Sequence, residues 1–166
     1  MYLTQSLSTK HNRSDFSCGK ESLDHYLKNQ ASQDIRRRLS ACFVLPDMDC
    51  NLIKGYYTLS AGSIPLELVP ASFGERLPKS YKNIPTTLLG RLAINIPYQN
   101  LGLGRLLLLD ALCRSHDASK SIGSFAVVVD PLDREAENFY EKYGFITLPD
   151  SGKMFLSMKT IQLLFQ

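Results

Sequence analysis

The sequence predicts an α/β fold in which a mixed central sheet of about six to seven strands is flanked by helices. Strand-like and helix-like segments follow one another in the order β, α, β, β, β, α, β, α, β. Phe125 to Val129 is a continuous apolar run, as expected of a central strand covered on both faces. A chain of 166 residues fits one domain with a sizeable core, so we expect a single domain over residues 1–166.

The first half of the chain supplies a strand, a helix and two further strands. Leu3 to Leu7 predicts a short strand, and Lys20 to Gln33 carries apolar residues at helical spacing. Two strands joined by a polar turn follow, over Ala41 to Leu45 and Ile53 to Ser60. Pro65 to Pro85 is proline-rich, so we expect an irregular or short-helical connection there.

A glycine-containing loop between a strand and a helix is the strongest functional signal. Leu88 to Ile94 predicts a strand, Gln99 to Gly104 reads QNLGLG, and an apolar helix runs on to about His116. Gly102 and Gly104 allow a tight turn and the close approach of a ligand. The free N–H groups and the dipole at a helix N-terminus favour a phosphate. We predict an anion-binding loop, although such glycines also occur in plain strand-to-helix turns.

Two common nucleotide-binding motifs are excluded at this loop. A Walker loop requires Gly-Lys-Ser/Thr, whereas Arg105 and Leu106 follow Gly104. A dinucleotide-binding fingerprint requires a third small residue at the position of Leu107.

An aromatic-rich helix is predicted from Asp133 to Tyr143, and a last strand from Met154 to Met158. Asp133 is a candidate N-cap and Gly144 a candidate left-handed C-terminal residue. One face of this helix carries residues at i, i+3, i+4 and i+7, namely Ala136, Phe139, Tyr140 and Tyr143. Phe139 and Tyr143 are interpreted as core residues, and Tyr140 suits either a core or a functional role.

The composition excludes several classes of protein. With 44% hydrophobic and 21% charged residues the chain is neither disordered nor fibrous. It contains no apolar run of membrane-spanning length and no signal-peptide pattern, so we expect a cytoplasmic protein. The cysteines lack metal-ligand spacing, so no metal is predicted and all four are expected to be small buried thiols. The three histidines are isolated and receive no role.

The loop and the aromatic helix resemble motifs of the GCN5-related N-acetyltransferases (GNAT). Gln99-x-x-Gly102-x-Gly104 resembles their acetyl-CoA pyrophosphate loop, and Tyr140 matches the tyrosine that faces the thioester sulfur. A narrower resemblance, over about residues 10 to 162, is to the GNAT toxins of bacterial toxin–antitoxin pairs. It is carried by four segments: Phe16-x-Cys18-Gly19, Leu23-Asp24-x-Tyr26-Leu27, Gly55-Tyr56-Tyr57-Thr58-Leu59-Ser60 and Leu89-Gly90-Arg91-Leu92-Ala93.

This resemblance implies a function and a set of partners. The family acetylates the amino group of aminoacyl-tRNA with acetyl-CoA and blocks translation. A small ribbon-helix-helix antitoxin neutralises it, and DNA is bound only indirectly, through that antitoxin. The resemblance also implies a homodimer with no membrane contact. One departure is Pro131, where the family pattern more often has a small residue such as alanine.

The resemblance also assigns roles to individual residues. Tyr140 is the expected catalytic residue, which protonates or orients the departing thiolate. The expected acetyl-CoA contacts comprise strand backbone, the glycine loop and the aromatic helix, namely Leu92, Ala93, Ile94, Gln99, Gly102, Leu103, Gly104, Arg105, Asn138 and Tyr143.

The chemistry of amine acetylation supports an α-amine as the acceptor. The nucleophile must be neutral, and an α-amino group has a pKa of about 7.7–8.0 against about 10.4 for lysine. Lysine acetylation therefore usually needs a general base. The strand Leu88–Ile94 offers Arg91 but no carboxylate, which favours the α-amine that an aminoacyl-tRNA ester presents.

A tRNA substrate also requires cationic surface, although the net charge is only +3. The run Arg36-Arg37-Arg38 is the main candidate for contact with tRNA phosphates, and Lys82 and Arg91 are further candidates. Other cationic residues of the first half of the chain could join the same patch, namely Lys10, Arg13, Lys28, Arg76 and Lys79. An ordinary solvated helix end explains the run equally well. Two other functions stay open: a small-molecule or protein N-acetyltransferase, and a catalytically silent acyl-CoA-binding module.

Overall fold

The computed structural model describes all residues from Met1 to Gln166 and contains one mixed seven-stranded sheet of order β1-β2-β3-β4-β5-β7-β6. The strands are β1 (Gln5–Ser6), β2 (Ala41–Pro46), β3 (Ile53–Pro65), β4 (Asn83–Ile94), β5 (Ala126–Val129), β6 (Ile146–Thr147) and β7 (Met154–Ser157). β4 and β5 pair in parallel, whereas β1–β2, β2–β3, β5–β7 and β6–β7 are antiparallel. The predicted fold class is confirmed.

Six α-helices accompany the sheet: α1 (Glu21–His25), α2 (Ala31–Arg36), α3 (Ala71–Gly74), α4 (Leu103–Ser119), α5 (Arg134–Lys142) and α6 (Met158–Leu163). A π-helical turn, Tyr26–Gln30, joins α1 to α2, and short 3₁₀ turns occupy Leu66–Leu68 and Ile96–Tyr98. None of the helices is long and apolar enough to cross a membrane.

The chain divides into two compact units, of which the first comprises Met1–Ser60 and Gly90–Arg114. Its core is aromatic, because Phe16 and Tyr26 both pack on Tyr56. Gly55 is required by close packing, since an added Cβ would lie 2.7 Å from Leu107 Cδ1 and 2.9 Å from the Ala93 carbonyl oxygen. This contact sets α4 tightly against β3 and β4.

The second unit comprises Ala61–Leu89 and Ser115–Gln166. β5 and β7 are buried along their whole length, as the apolar run of β5 predicts. Phe73 of α3 packs edge-on against Phe155 of β7, with ring centroids 5.3 Å apart. The expectation of a single domain over residues 1–166 stays a prediction.

Several elements differ from the sequence predictions. β1 is only two residues long, whereas β3 extends to Pro65 and β4 begins at Asn83, inside the segment expected to be irregular. The sequence analysis missed α6, which Ser157 caps by accepting a hydrogen bond from the Thr160 N–H at 3.1 Å.

The expectation that all four cysteines are buried is wrong for two of them. Cys18 and Cys42 are buried, but Cys113 is half-buried and Cys50 is exposed. Cys50 lies in the polar turn between β2 and β3, where the chain has no core to cover it.

Candidate functional site

The glycine loop has the backbone geometry that its sequence predicts. It lies between the 3₁₀ turn Ile96–Tyr98 and the start of α4 at Leu103. Asn100 and Gly102 have positive φ angles, 61° and 79°. An added Cβ at Gly102 would meet no atom within 4 Å, so the space in front of the loop is open. Glycine is therefore favoured here by the turn and not by internal packing.

The start of α4 presents free main-chain donors. Leu106 N–H donates to the Gly102 carbonyl at 3.3 Å, and it is the first N–H of the helix to bond back along the chain. The N–H groups of Leu103, Gly104 and Arg105 precede it and have no main-chain partner. The Arg105 side chain is exposed beside them. Three free donors, the dipole of a 17-residue helix and one cation all favour an anion, so pyrophosphate binding at this loop stays a prediction.

Gln99 forms several hydrogen bonds within the protein. Its side-chain Nε2 donates to the Cys18 and Ile94 carbonyls, both at 2.9 Å, and its main-chain N–H donates to the Ile96 carbonyl at 3.1 Å. All of its N–H groups are thus used within the protein. Gln99 therefore braces the loop against β4, and its contact with the pyrophosphate stays a prediction.

One edge of β4 is open at its end. The parallel register with β5 runs from Thr87 to Leu89, and no strand pairs with that edge of β4 beyond Leu89. On the other edge, Asn95 N–H donates to the Lys54 carbonyl of β3 at 2.8 Å. Because successive residues of a strand direct their main-chain groups to opposite edges, Leu92 and Ile94 face the open edge.

The three strand residues expected to bind acetyl-CoA therefore differ in the direction of their main-chain groups. Leu92 offers both its main-chain groups to the open edge, and Ile94 offers its N–H, since Gln99 occupies its carbonyl. Ala93 directs its main-chain groups to β3, and its side chain is buried in the core of the first unit. Ala93 is thus a packing residue, and its assignment as a backbone contact of acetyl-CoA stays a prediction.

The helix that carries Tyr140 forms as its sequence predicts. The Asp133 carboxylate accepts a hydrogen bond from the Ala136 N–H at 2.9 Å, and Gly144 ends the helix with φ +89°. The Tyr140 ring packs between Phe139 and Phe145, with both centroid distances 5.2 Å, and only 7% of the residue is exposed. Burial raises the pKa of the Tyr140 phenol well above its ordinary value.

The Tyr140 hydroxyl is the one unpaired hydroxyl among the four buried tyrosines. The other three donate hydrogen bonds: Tyr26 to Asp34 at 2.9 Å, Tyr56 to the Leu23 carbonyl at 2.7 Å, and Tyr57 to Asp110 at 2.7 Å. A buried tyrosine normally finds a partner for its hydroxyl. The exception at Tyr140 is what a proton donor awaiting a substrate atom requires.

Two further residues of α5 were expected to contact the cofactor. Asn138 is exposed, and the Tyr143 ring packs edge-on against Phe139 with centroids 5.1 Å apart. Phe139 and Tyr143 pack against each other but are only half-buried, so the interpretation of both as core residues is wrong.

The cationic residues fall into two groups. Arg36, Arg37 and Arg38 are exposed at the end of α2 and form no ion pair, and Arg38 adopts φ +57°. Arg91 is half-buried and stacks on the Tyr26 ring. Both groups belong to the first unit, whereas the exposed Lys82 belongs to the second. Arg13 is half-buried and donates one hydrogen bond to the Ser32 hydroxyl at 2.6 Å.

The buried thiols are unsuited to nucleophilic catalysis. Burial raises the pKa of Cys18 to about 11 and that of Cys42 to about 12. Both therefore remain protonated near neutral pH, and the thiol is a poor nucleophile in that state. No group of side chains suited to a metal ion is present.

Comparison with known proteins identifies the family. Residues 80–156 match the model of an acetyltransferase (GNAT) domain. A tRNA-acetylating toxin of Mycobacterium tuberculosis is 36% identical over 147 residues, which is 87% of this chain and 84% of the relative. The chain belongs to the GNAT family of tRNA-acetylating toxins.

Solved structures of GNAT toxins extend this likeness. AtaT complexed with acetyl-methionyl-tRNAfMet has a TM-score of 0.90 and 30% identity, and the match covers 98% of each chain. A mutant of AtaT bound to the C-terminus of the antitoxin AtaR and to acetyl-CoA has a TM-score of 0.81 and 27% identity, covering 98% of this chain and 97% of AtaT. The predicted family, fold and enzyme class are confirmed.

Sequence reasoning missed Asn95, a buried residue that supports the start of the glycine loop. The Asn95 side chain is buried, accepts from the Ser17 N–H at 3.3 Å and donates to the Ile53 carbonyl at 3.1 Å. It thereby fixes the point where β4 passes into the glycine loop. Its position immediately after an apolar strand was the available signal, since a lone asparagine there predicts a turn or a buried brace.

Proposed function

We propose that the protein transfers the acetyl group of acetyl-CoA to the α-amino group of an aminoacyl-tRNA and thereby blocks translation. The observation that carries the proposal is the unpaired hydroxyl of the otherwise buried Tyr140 in a chain whose relatives acetylate tRNA. Residues 1–166 act as one catalytic domain, and the site of action is the cytoplasm, where charged tRNA occurs.

Acetyl-CoA binds through main-chain groups and one cation. The N–H groups of Leu103, Gly104 and Arg105 hold the pyrophosphate at the start of α4, and the Arg105 guanidinium adds a charge. Gly102 keeps the approach open. Leu92 and Ile94 bind the pantetheine arm along the open edge of β4, as an added strand would bind.

Two residues of α5 are further proposed acetyl-CoA contacts. Asn138 is exposed and can reach a ligand with its amide, and Tyr143 offers the part of its ring that Phe139 leaves uncovered. These two assignments rest on the family pattern.

Tyr140 acts as the acid of the reaction. The α-amine attacks the thioester carbonyl, a C–N bond forms, the C–S bond breaks, and the Tyr140 hydroxyl protonates the departing sulfur. The attacking nitrogen loses a proton to water, and Tyr140 is reprotonated from water. Because burial raises the pKa of Tyr140, the phenol holds its proton at neutral pH and acts as an acid rather than as a base.

No base needs to be supplied for an α-amine. β4 carries no carboxylate, and Arg91 is its only ionisable side chain. An α-amino group is partly neutral at pH 7, whereas a lysine side chain is almost fully charged. The absence of a base on β4 therefore favours an aminoacyl ester over a lysine as the acceptor.

The tRNA is held through phosphates and shape. Arg36, Arg37 and Arg38 present three exposed, unpaired guanidinium groups at the end of α2, and Arg91 and Lys82 are further contacts. No aromatic stacking platform for single-stranded RNA is required by this arrangement.

The partners follow the pattern of the relatives, of which AtaT is bound by its antitoxin AtaR. A ribbon-helix-helix antitoxin encoded beside the protein neutralises it, DNA is bound through that antitoxin, and the toxin is a homodimer. The adjacent reading frame tests the first point directly, because a metabolic acetyltransferase would have no such neighbour.

The function is tested by incubating the protein with radiolabelled acetyl-CoA and total charged tRNA. We expect label in the RNA fraction, released by mild alkaline hydrolysis of the aminoacyl ester. Matched controls contain deacylated tRNA, and a lysine-containing peptide in place of tRNA. Label in the peptide alone would identify a protein acetyltransferase, and no turnover with any acceptor would identify a silent acyl-CoA-binding module.

A further inference from the structure

An arginine stacked on a buried tyrosine lies next to the strand residues that we assign to acetyl-CoA. Arg91 directly precedes Leu92, and its guanidinium carbon lies 3.4 Å from the centroid of the Tyr26 ring. The guanidinium forms no ion pair and no hydrogen bond within the protein. Stacking uses only the flat face of the group, so the N–H donors at its edge remain available to a planar or tetrahedral anion.

The tyrosine beneath it is held on several sides. The Tyr26 hydroxyl donates to the Asp34 carboxylate at 2.9 Å, and its ring stacks on Tyr56 with an interplanar angle of 15°. Tyr26 also opens the π-helical turn, where its carbonyl accepts the Ala31 N–H. π-helical turns are uncommon and frequently occur at functional sites. The ring is therefore a fixed support and not a mobile side chain.

The Arg91 side chain lies on the face of the sheet opposite to α4, whose first residues form the proposed pyrophosphate site. Ile94 and Leu107 of α4 meet on one face of the sheet beside Gly55, whereas Arg91 contacts Tyr26, which packs with the helices on the other face. Asp34, which anchors Tyr26, lies in α2 one helical turn from the exposed run Arg36–Arg38. Arg91 thus lies on the side of the sheet that carries the cationic run.

We propose that Tyr26 is a positioning residue that holds the Arg91 guanidinium flat, with its edge toward a phosphate at the 3′ end of the aminoacyl-tRNA. This proposal rests on the proposed function. It assigns Arg91 to the RNA and not to acetyl-CoA, and it makes Tyr26 and Asp34 determinants of affinity for the RNA that never touch it. A lysine at position 91 would keep the charge but lose the flat face and the paired donors.

The test is steady-state acetylation of total charged tRNA by Arg91→Lys, Tyr26→Leu, Tyr26→Phe and their parent. Arg91→Lys and Tyr26→Leu should each raise KM for charged tRNA about tenfold, the usual loss for a charge-assisted contact. Their kcat and their KM for acetyl-CoA should change less than about twofold, as expected for a lost binding contact. Tyr26→Phe keeps the stacked ring, so its effect should be smaller. The double variant Arg91→Lys/Tyr26→Leu should be no worse than either single variant, because both remove one contact.

Salt dependence and a matched control separate positioning from general packing. The slope of log KM against log salt should fall by up to about 0.7, the value for one phosphate of a single strand, in Tyr26→Leu, and by less in Arg91→Lys, which keeps the charge. Tyr57→Phe is the control, because Tyr57 is equally buried and also donates to a carboxylate, Asp110. It should leave KM for charged tRNA and the salt slope unchanged.

Three results would overturn the proposal. The first is a fall in kcat with KM for charged tRNA unchanged, the second is a rise in KM for acetyl-CoA, and the third is an equal KM shift in Tyr57→Phe. Thermal melting identifies a variant that fails to fold. If Tyr26→Leu fails, Arg91→Lys and Tyr26→Phe decide the question. A parent that acetylates no charged tRNA would instead show that the proposed function has failed, and this proposal with it.

Discussion

Tyr140→Phe should abolish most acetyl transfer without harming the fold. The substitution removes one hydroxyl that has no hydrogen-bond partner and keeps the ring between Phe139 and Phe145. No buried partner is left unsatisfied, so the free energy of unfolding should change by less than about 0.5 kcal/mol. Loss of a positioned acid typically lowers the rate by about 10²–10⁴, which is about 3–5 kcal/mol of transition-state stabilisation.

The assay compares kcat, KM, acetyl-CoA affinity and melting temperature in variant and parent. The reduction should lie in kcat, with KM and acetyl-CoA affinity nearly unchanged. Tyr57→Phe provides the opposite pattern, since it leaves Asp110 and Thr4 with one fewer hydrogen bond and should lower the melting temperature while sparing kcat. A kcat of Tyr140→Phe within about threefold of the parent, far below the loss expected for a catalytic acid, would refute the reasoning and make Tyr140 a core residue.

Three other substitutions or conditions test separate parts of the structure. Gly104→Asp places a negative charge at the start of α4, where we propose that the pyrophosphate binds. The affinity for acetyl-CoA, measured by calorimetry, should fall severely, while the circular dichroism spectrum stays that of the parent. An unchanged affinity would show that the loop is not part of the site. Changing Arg36, Arg37 and Arg38 together to alanine should raise KM for charged tRNA and make that KM less dependent on salt, with the affinity for acetyl-CoA unaltered. If variant and parent show the same salt dependence, the three arginines are only solvated and do not bind tRNA. His11 is buried with Nε2 unpartnered, and burial lowers its pKa below 6.5. The unfolded chain therefore binds a proton before the folded one does, so the melting temperature should fall as the pH drops below about 6.5 and should fall less in His11→Gln; equal pH profiles would exclude His11 as the cause.

Local signals allowed much of the fold to be predicted from the sequence. α5 begins and ends where a capping aspartate and a glycine place it, and α4 begins at the glycine loop, because these signals act within a few residues. α4 runs on to Ser119, three residues beyond its predicted end. The extension of β4 back to Asn83 was not predictable in this way. The extension depends on hydrogen bonds to residues far away in the sequence. One of them runs from the Phe125 N–H to the Pro85 carbonyl, at 2.8 Å, so that even Pro85 lies within the strand.

The backbone shape of the glycine loop and the burial of Tyr140 agree with the motifs, whereas the ligand contacts assigned to them stay predictions. Gly102 and Tyr140 could be read from motifs, because the chemistry of the loop and of the acid needs those residue types. Gln99 matched the motif equally well, yet its N–H groups are consumed by the Cys18, Ile94 and Ile96 carbonyls. Contacts of this kind join residues far apart in sequence, so no local pattern can predict them.

The support of Arg91 by Tyr26 was invisible for the same reason. The two residues are brought together only when the π-helical turn packs against β4. Helical periodicity placed Tyr26 on an apolar face, and it does belong to the core. Its hydrogen bond to Asp34 and its stacked arginine become apparent only in the folded structure.

The central claim is that Tyr140 is the catalytic acid in the acetylation of the α-amino group of an aminoacyl-tRNA. It is tested most directly by treating total charged tRNA with acetyl-CoA and the parent or Tyr140→Phe, digesting the RNA with nuclease, and identifying the terminal aminoacyl-adenosine by mass spectrometry. We predict N-acetyl-aminoacyl-adenosine with the parent and almost none with Tyr140→Phe. Equal amounts with both proteins, or unmodified aminoacyl-adenosine with the parent, would contradict the claim.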